Sequence, residues 1–190
     1  RAALPAPPAF PTGWQLGQPD MVVAVPRPYL LGPGKTEVFR NLVLPLPLDR
    51  TRHVRAVEFQ PGSAPVHHAV IHIDRTSASR RLDGSDGQPG FEGMGGREAQ
   101  DPEGHFVGWA PGRGPIVAPD GMPWQLDRGT DLVVELHLVP GDTAQSVQPT
   151  IGLYFADGPA ARVPLMLKMG SKSIDIPVGD ANYVVEDRLT

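Results

Sequence analysis

The chain has 190 residues, enough for one large domain with a proper core, and its 17 basic against 21 acidic groups leave a net charge of -4, so nucleic acid is not an implied partner. It contains no cysteine, which excludes disulfide frameworks, iron-sulfur clusters, thiolate zinc sites and cysteine nucleophiles, and leaves histidine to carry any soft metal chemistry. No apolar run approaches the ~20 residues of a membrane-spanning helix, and the opening Arg1-Ala2-Ala3-Leu4-Pro5 has neither an initiator Met nor a signal-peptide core, so the chain is expected to be cut at its front end.

Residues 1–12 are rich in Pro and Ala and are expected to form an extended leader. Beyond them, 23 Pro and 22 Gly punctuate the chain too often for long helices, because interior Pro costs a helix about 3 kcal/mol and Gly about 1. Short runs of Val, Ile, Leu and aromatics at 21–25, 36–44, 53–60, 66–73, 105–109, 131–139, 147–155, 161–167, 172–176 and 182–187 predict strands. Many short strands divided by turn signals predict an all-β antiparallel sandwich or barrel. The stretch 76–104 holds too much Gly and Asp for regular structure, and a loop of that length in a compact domain is functional or mobile. Its Gly93-Met94-Gly95-Gly96 matches no nucleotide-binding glycine spacing and reads as a flexible loop.

Three of the six histidines lie in Pro65-Val66-His67-His68-Ala69-Val70-Ile71-His72-Ile73-Asp74. Strands normally use such positions for Val, Ile and Thr, so imidazoles at this density point to a metal site. Strand geometry narrows the choice. His68 and His72 share a face but stand about 13 Å apart, four residues at roughly 3.3 Å each, too far for a shared ion. His67 and His68 have α-carbons about 3.8 Å apart but leave a regular strand from opposite faces. Both reach one ion only where the strand begins or bulges, and Pro61-Gly62-Ser63-Ala64-Pro65 is a sequence that lets a chain enter a sheet irregularly.

A third donor must come from a neighbouring strand. In the run 131–139, alternation places Leu132, Val134, Leu136 and Leu138 on a core face and Val133, Glu135, His137 and Val139 on a mixed face open to solvent or to a second domain, so His137 is the best placed. Three neutral imidazoles suit Cu, Zn or Fe, and an open position would serve either hydrolysis or electron transfer; unrelated histidines in a β-protein are the competing reading. His53 and His105 read as surface residues, and His72 as a group supporting the ligands from behind or a satisfied core histidine. Glu58, Asp74 and Glu135 read as paired surface or supporting carboxylates. There is neither a G-x-S-x-G elbow nor an H-E-x-x-H motif.

Several stretches together resemble the copper type II, ascorbate-dependent monooxygenases, the family of peptidylglycine α-hydroxylating and dopamine β-monooxygenases, and most clearly its bacterial branch. They are Gly13-Trp14-Gln15-Leu16-Gly17-Gln18-Pro19-Asp20, Val54-Arg55-Ala56-Val57-Glu58-Phe59 with Pro61-Gly62, Val66-His67-His68-Ala69, Leu82-Asp83, Pro89-Gly90-Phe91, Gly108-Trp109-Ala110-Pro111-Gly112 and Leu132-Val133-Val134-Glu135-Leu136-His137. The adjacent histidine pair followed by a later histidine on an aliphatic strand is the most specific of these.

The resemblance implies an antiparallel jelly-roll β-sandwich over residues 13–170 with one copper held by His67, His68 and His137. It also implies ascorbate, a small-molecule reductant, as electron donor, and a periplasmic or secreted location. In that family the electron passes to a second copper, held by a His-x-His pair and a methionine in a second domain, where the C–H bond is hydroxylated. No His-x-His occurs in these 190 residues, and Met166 and Met169 do not match the methionine motif. Residues 171–190 are therefore expected to open a second domain, or to form a C-terminal strand, and the chain is expected to be an electron-transfer half that does not hydroxylate alone. Two further departures are Leu138-Val139-Pro140 after His137, where animal members carry an aromatic, and Glu135, where they carry an uncharged amide. A non-catalytic β-sandwich that binds copper or a partner protein is the alternative, and a three-histidine zinc hydrolase is a third reading.

Overall fold

The computed structural model describes residues 12–94, 99–167, 170, 174–186 and 188. Within them the chain forms β1 (Met21–Ala24), β2 (Tyr29–Leu31), β3 (Val38–Pro45), β4 (Arg52–Gln60), β5 (Val66–Asp74), β6 (Phe91–Glu92), β7 (Gly108–Trp109), β8 (Ile116–Val117), β9 (Trp124–Leu126), β10 (Asp131–Leu138), β11 (Gln145–Val147) and β12 (Thr150–Phe155). The only helical element among the described residues is a 3-10 turn at Ser79–Arg81. None is long and apolar enough to cross a membrane.

All the pairings are antiparallel and build two main sheets. One runs β1-β12-β4, with β8 and β9 both pairing the far edge of β4, and the other runs β6-β3-β10-β5-β7. A small third sheet joins β2 to β11. Both main sheets turn aliphatic side chains into one shared core. The first contributes Val54, Val57, Leu126, Ile151 and Leu153, and the second Leu42, Leu44, Ile71, Leu132, Val134 and Leu136. Each fully buried Leu or Ile contributes about 1.5–3 kcal/mol, so the core clamps the two sheets together. The all-β, antiparallel expectation is met.

Strand β10 is the axis of the second sheet, pairing β3 on one side and β5 on the other. Its alternation behaves as the pattern requires, with Leu132, Val134, Leu136 and Leu138 in the core. The face expected to be open is largely covered instead: Val133 is fully buried and His137 is only 8% exposed. The segment after β5 lies over this face, with Arg80 bound to Asp131 and Asp101 beside His72, the ladder partner of Val133.

Several boundaries differ from the predicted strands. The run 147–155 divides at Gln148-Pro149 because Pro cannot donate to the ladder. Only Gly108 and Trp109 of 105–109 pair. The described residues of 161–167, 172–176 and 182–187 form no strand: Val163, Leu165, Ile174, Ile176 and Val184 are exposed, so their apolar pattern finds no partner to pair with. The rest of those segments, most of the 1–12 leader, Met169, and Gly95 and Gly96 lie outside the described residues.

The stretch 76–104 is more ordered than its composition predicts. Arg40, fully buried on β3, binds both carboxylate oxygens of Asp86, donates to the carbonyls of Gln88 and Pro89, and lies 4.8 Å from the centre of the Tyr29 ring. A buried guanidinium demands such a set of acceptors, and here the loop supplies them. Gly90 is needed in that turn, since its φ is +81° and a Cβ would stand 2.1 Å from the Asn41 carbonyl oxygen.

Candidate metal centre

His137 and His68 are direct partners across the β10–β5 ladder, and Phe39 is the partner of His137 on its other side. One row across three strands thus reads Phe39, His137, His68. The next pair along β10 and β5 is Leu138 with Val66, so His67 is the extra residue of a β-bulge. In a regular strand His67 would point away from His68, but the bulge turns it to the same side. The irregular entry expected from Pro61 to Pro65 is located at this residue, with Val139 N–H donating to the Pro65 carbonyl just beyond it at 2.9 Å.

The three Nδ1 atoms converge. They are separated by 3.3 Å between His67 and His68, 3.3 Å between His67 and His137, and 3.1 Å between His68 and His137. The rings stand steeply to one another, at 60°, 81° and 71°, so they turn their Nδ1 edges to a common point rather than stacking faces. For an ion at the ~2.0–2.1 Å of an imidazole bond, these separations correspond to angles of roughly 95–110° at the metal. The group forms a donor set that could hold a metal ion, graded from His137 at the base, nearly buried, to His67 at the exposed rim.

The surroundings of His68 favour the neutral imidazole that a metal requires. The His68 pKa lies below its ordinary value, first through burial and then through the neighbouring His137 and His67, with Glu135 and Glu37 opposing. His137 is held from two further directions. Its ring stacks on Phe39, with centroids 4.6 Å apart and planes 7° from parallel, and its Nε2 lies 2.9 Å from a Glu37 carboxylate oxygen. That contact lies off the N–H direction and forms no aligned hydrogen bond, although it places an acceptor beside the nitrogen opposite the donor.

The other histidines stand apart. His72 faces Asp101 at 3.2 Å and Glu135 at 4.0 Å, one row of the ladder beyond Glu135, and does not join the triad. Neither contact reaches His67, His68 or His137. Glu135 is partnered and lies between the His68–His137 row and His72. His53 and His105, expected at the surface, are half-buried, and burial lowers the His105 pKa against a Met122 backbone contact that raises it. Glu58 and Asp74 serve the scaffold. Glu58 accepts from Gln15 N–H, Leu16 N–H and the Tyr154 hydroxyl, each at 2.7 Å, and so ties the segment before β1 to β4.

Glu37 and Phe39 were not singled out by the sequence. Alternation along the predicted strand 36–44 puts them on one face, but no single segment states that β3 lies against β10. No family model, curated protein or solved structure matches the chain.

Proposed function

We propose that this domain binds one copper ion through Nδ1 of His67, His68 and His137 and serves as the electron-transfer half of an ascorbate-dependent, two-copper monooxygenase. The observation that carries the metal reading is the bulge at His67, which brings three imidazole Nδ1 atoms to one point where the described residues supply no other hydrogen-bond donor. Copper rather than zinc, ascorbate as the small-molecule reductant, a periplasmic or secreted location and jelly-roll connectivity follow from the family resemblance in the quoted motifs. Copper bound there would supply one-electron redox chemistry, cycling between Cu(II) and Cu(I).

The chain's own residues define how such a site works. His137 sits on the central strand between Phe39 and β5, so its ring is held before any ion arrives and little reorganisation accompanies binding. His67 at the rim leaves one side of the triad open to a reductant or to an acceptor domain. Hydroxylation is assigned to a second copper domain and not to these residues. The competing reading, a non-catalytic copper-binding or protein-interaction sandwich, shares the first step and lacks the second.

Titration with Cu(II), followed by EPR, tests the assignment. One equivalent with nitrogen hyperfine structure, reduced by ascorbate and altered in His137→Ala, is the expected result. Binding away from one equivalent, or an unchanged spectrum in His137→Ala, sinks it. Metal analysis of protein purified without added metal separates copper from zinc, and a downstream His-x-His and methionine in the parent gene separate the monooxygenase from the non-catalytic module.

A further inference from the structure

A cleft of about 520 Å³ opens between the two main sheets where Phe59 of β4 meets Trp109 of β7. This is within the ~300–1,000 Å³ range of small-molecule sites. Its apolar wall is formed by these two rings, 5.1 Å apart and inclined at 50°, together with Val66. Two ionic side chains line it. Glu58 is 5% exposed and its oxygens already accept three hydrogen bonds, so neither is left seeking a cation. Arg113 is exposed and its guanidinium has no partner among the described residues.

An unpaired guanidinium selects an anion, preferably a carboxylate that it can bind through two parallel hydrogen bonds. Tilted aromatic walls select a flat body. We propose that this cleft binds a flat, unsaturated small-molecule carboxylate, its ring against Phe59 and Trp109 and its charge on Arg113. The cleft uses none of the three histidines, so it stands or falls separately from the copper assignment.

Three probes with one phenol ring and different charge test the site by NMR titration of the 190-residue chain: 4-hydroxyphenylacetate, 4-hydroxyphenylacetamide and tyramine. The expected result is shifts centred on Trp109 and Arg113, with the carboxylate bound at least about tenfold more tightly than the amide and tyramine weakest. Arg113→Gln, an exposed substitution that leaves the core untouched, should equalise carboxylate and amide. Equal affinity for all three probes, no shift at cleft residues up to millimolar concentration, or an unchanged carboxylate preference in Arg113→Gln each overturns the proposal.

Discussion

The two ends of the β5–β10 pair pose the same electrostatic problem and answer it differently. At one end Asp74 lies directly opposite Asp131, both fully buried, an arrangement that like charges disfavour. The protein supplies the counter-groups itself: Arg80 donates twice to Asp131 at 2.6 Å, and Asp74 accepts from Thr76 N–H, the Thr76 hydroxyl and Ser79 N–H at 2.7 Å each. At the other end His68 lies opposite His137, the bulge adds His67, and no donor from the other described residues reaches the shared point. The carboxylates have their hydrogen-bonding demands met within the chain, whereas the three ring nitrogens gather round one point and could hold a metal ion.

The contrast breaks most sharply at His137. His137→Ala should weaken copper binding by more than the roughly 10–100-fold that loss of a supporting partner costs, as measured by competition with a chelator of known affinity. Under the proposed assignment, copper loading would supply a counter-group at the imidazole end. At a free concentration about 100 times its dissociation constant it should stabilise the fold by about 2.7 kcal/mol in urea titrations, a gain His137→Ala loses.

The carboxylate end answers to pH rather than to metal. Burial raises the Asp74 pKa, but the hydrogen bonds from Ser79 and Thr76 outweigh it and hold the pKa at about 2, below the ordinary 3.8. A depressed folded-state value contributes stability in full above the unfolded value and loses it as pH falls through the folded one. Asp74→Ala should therefore cost about 2 kcal/mol at pH 7, and the gap from the parent should close between about pH 4 and pH 2. A gap that is constant with pH would show the cost to be packing alone. The smallest effect is reserved for Glu37→Gln, which should weaken copper binding about tenfold while leaving urea stability unchanged, because Glu37 is 58% exposed at its side chain.

Much of this site is legible in the sequence because strand geometry is unforgiving. A two-residue period rules out His68 with His72, permits His67 with His68 only at a bulge, and turns His137 away from the leucines of its own strand. Tertiary neighbours are not written in any one segment. The positions of Glu37, Phe39 and Asp101 depend on which strands and loops meet, and the covering of β10 depends on the segment after β5 that folds back over it. The predicted strands at 161–167, 172–176 and 182–187 have no counterpart among the described residues for the converse reason: an apolar run specifies a strand only when another edge is present to pair with it.

The bulge at His67 has one more consequence, which concerns how such a centre arises. Val66 pairs with Leu138 and His68 with His137, so the ladder on either side of His67 is already continuous in register. Remove that residue and an ordinary antiparallel pair remains, carrying two outward imidazoles. A single inserted codon therefore separates a ladder with two facing imidazoles from a cluster of three, and the ladder on either side keeps its register.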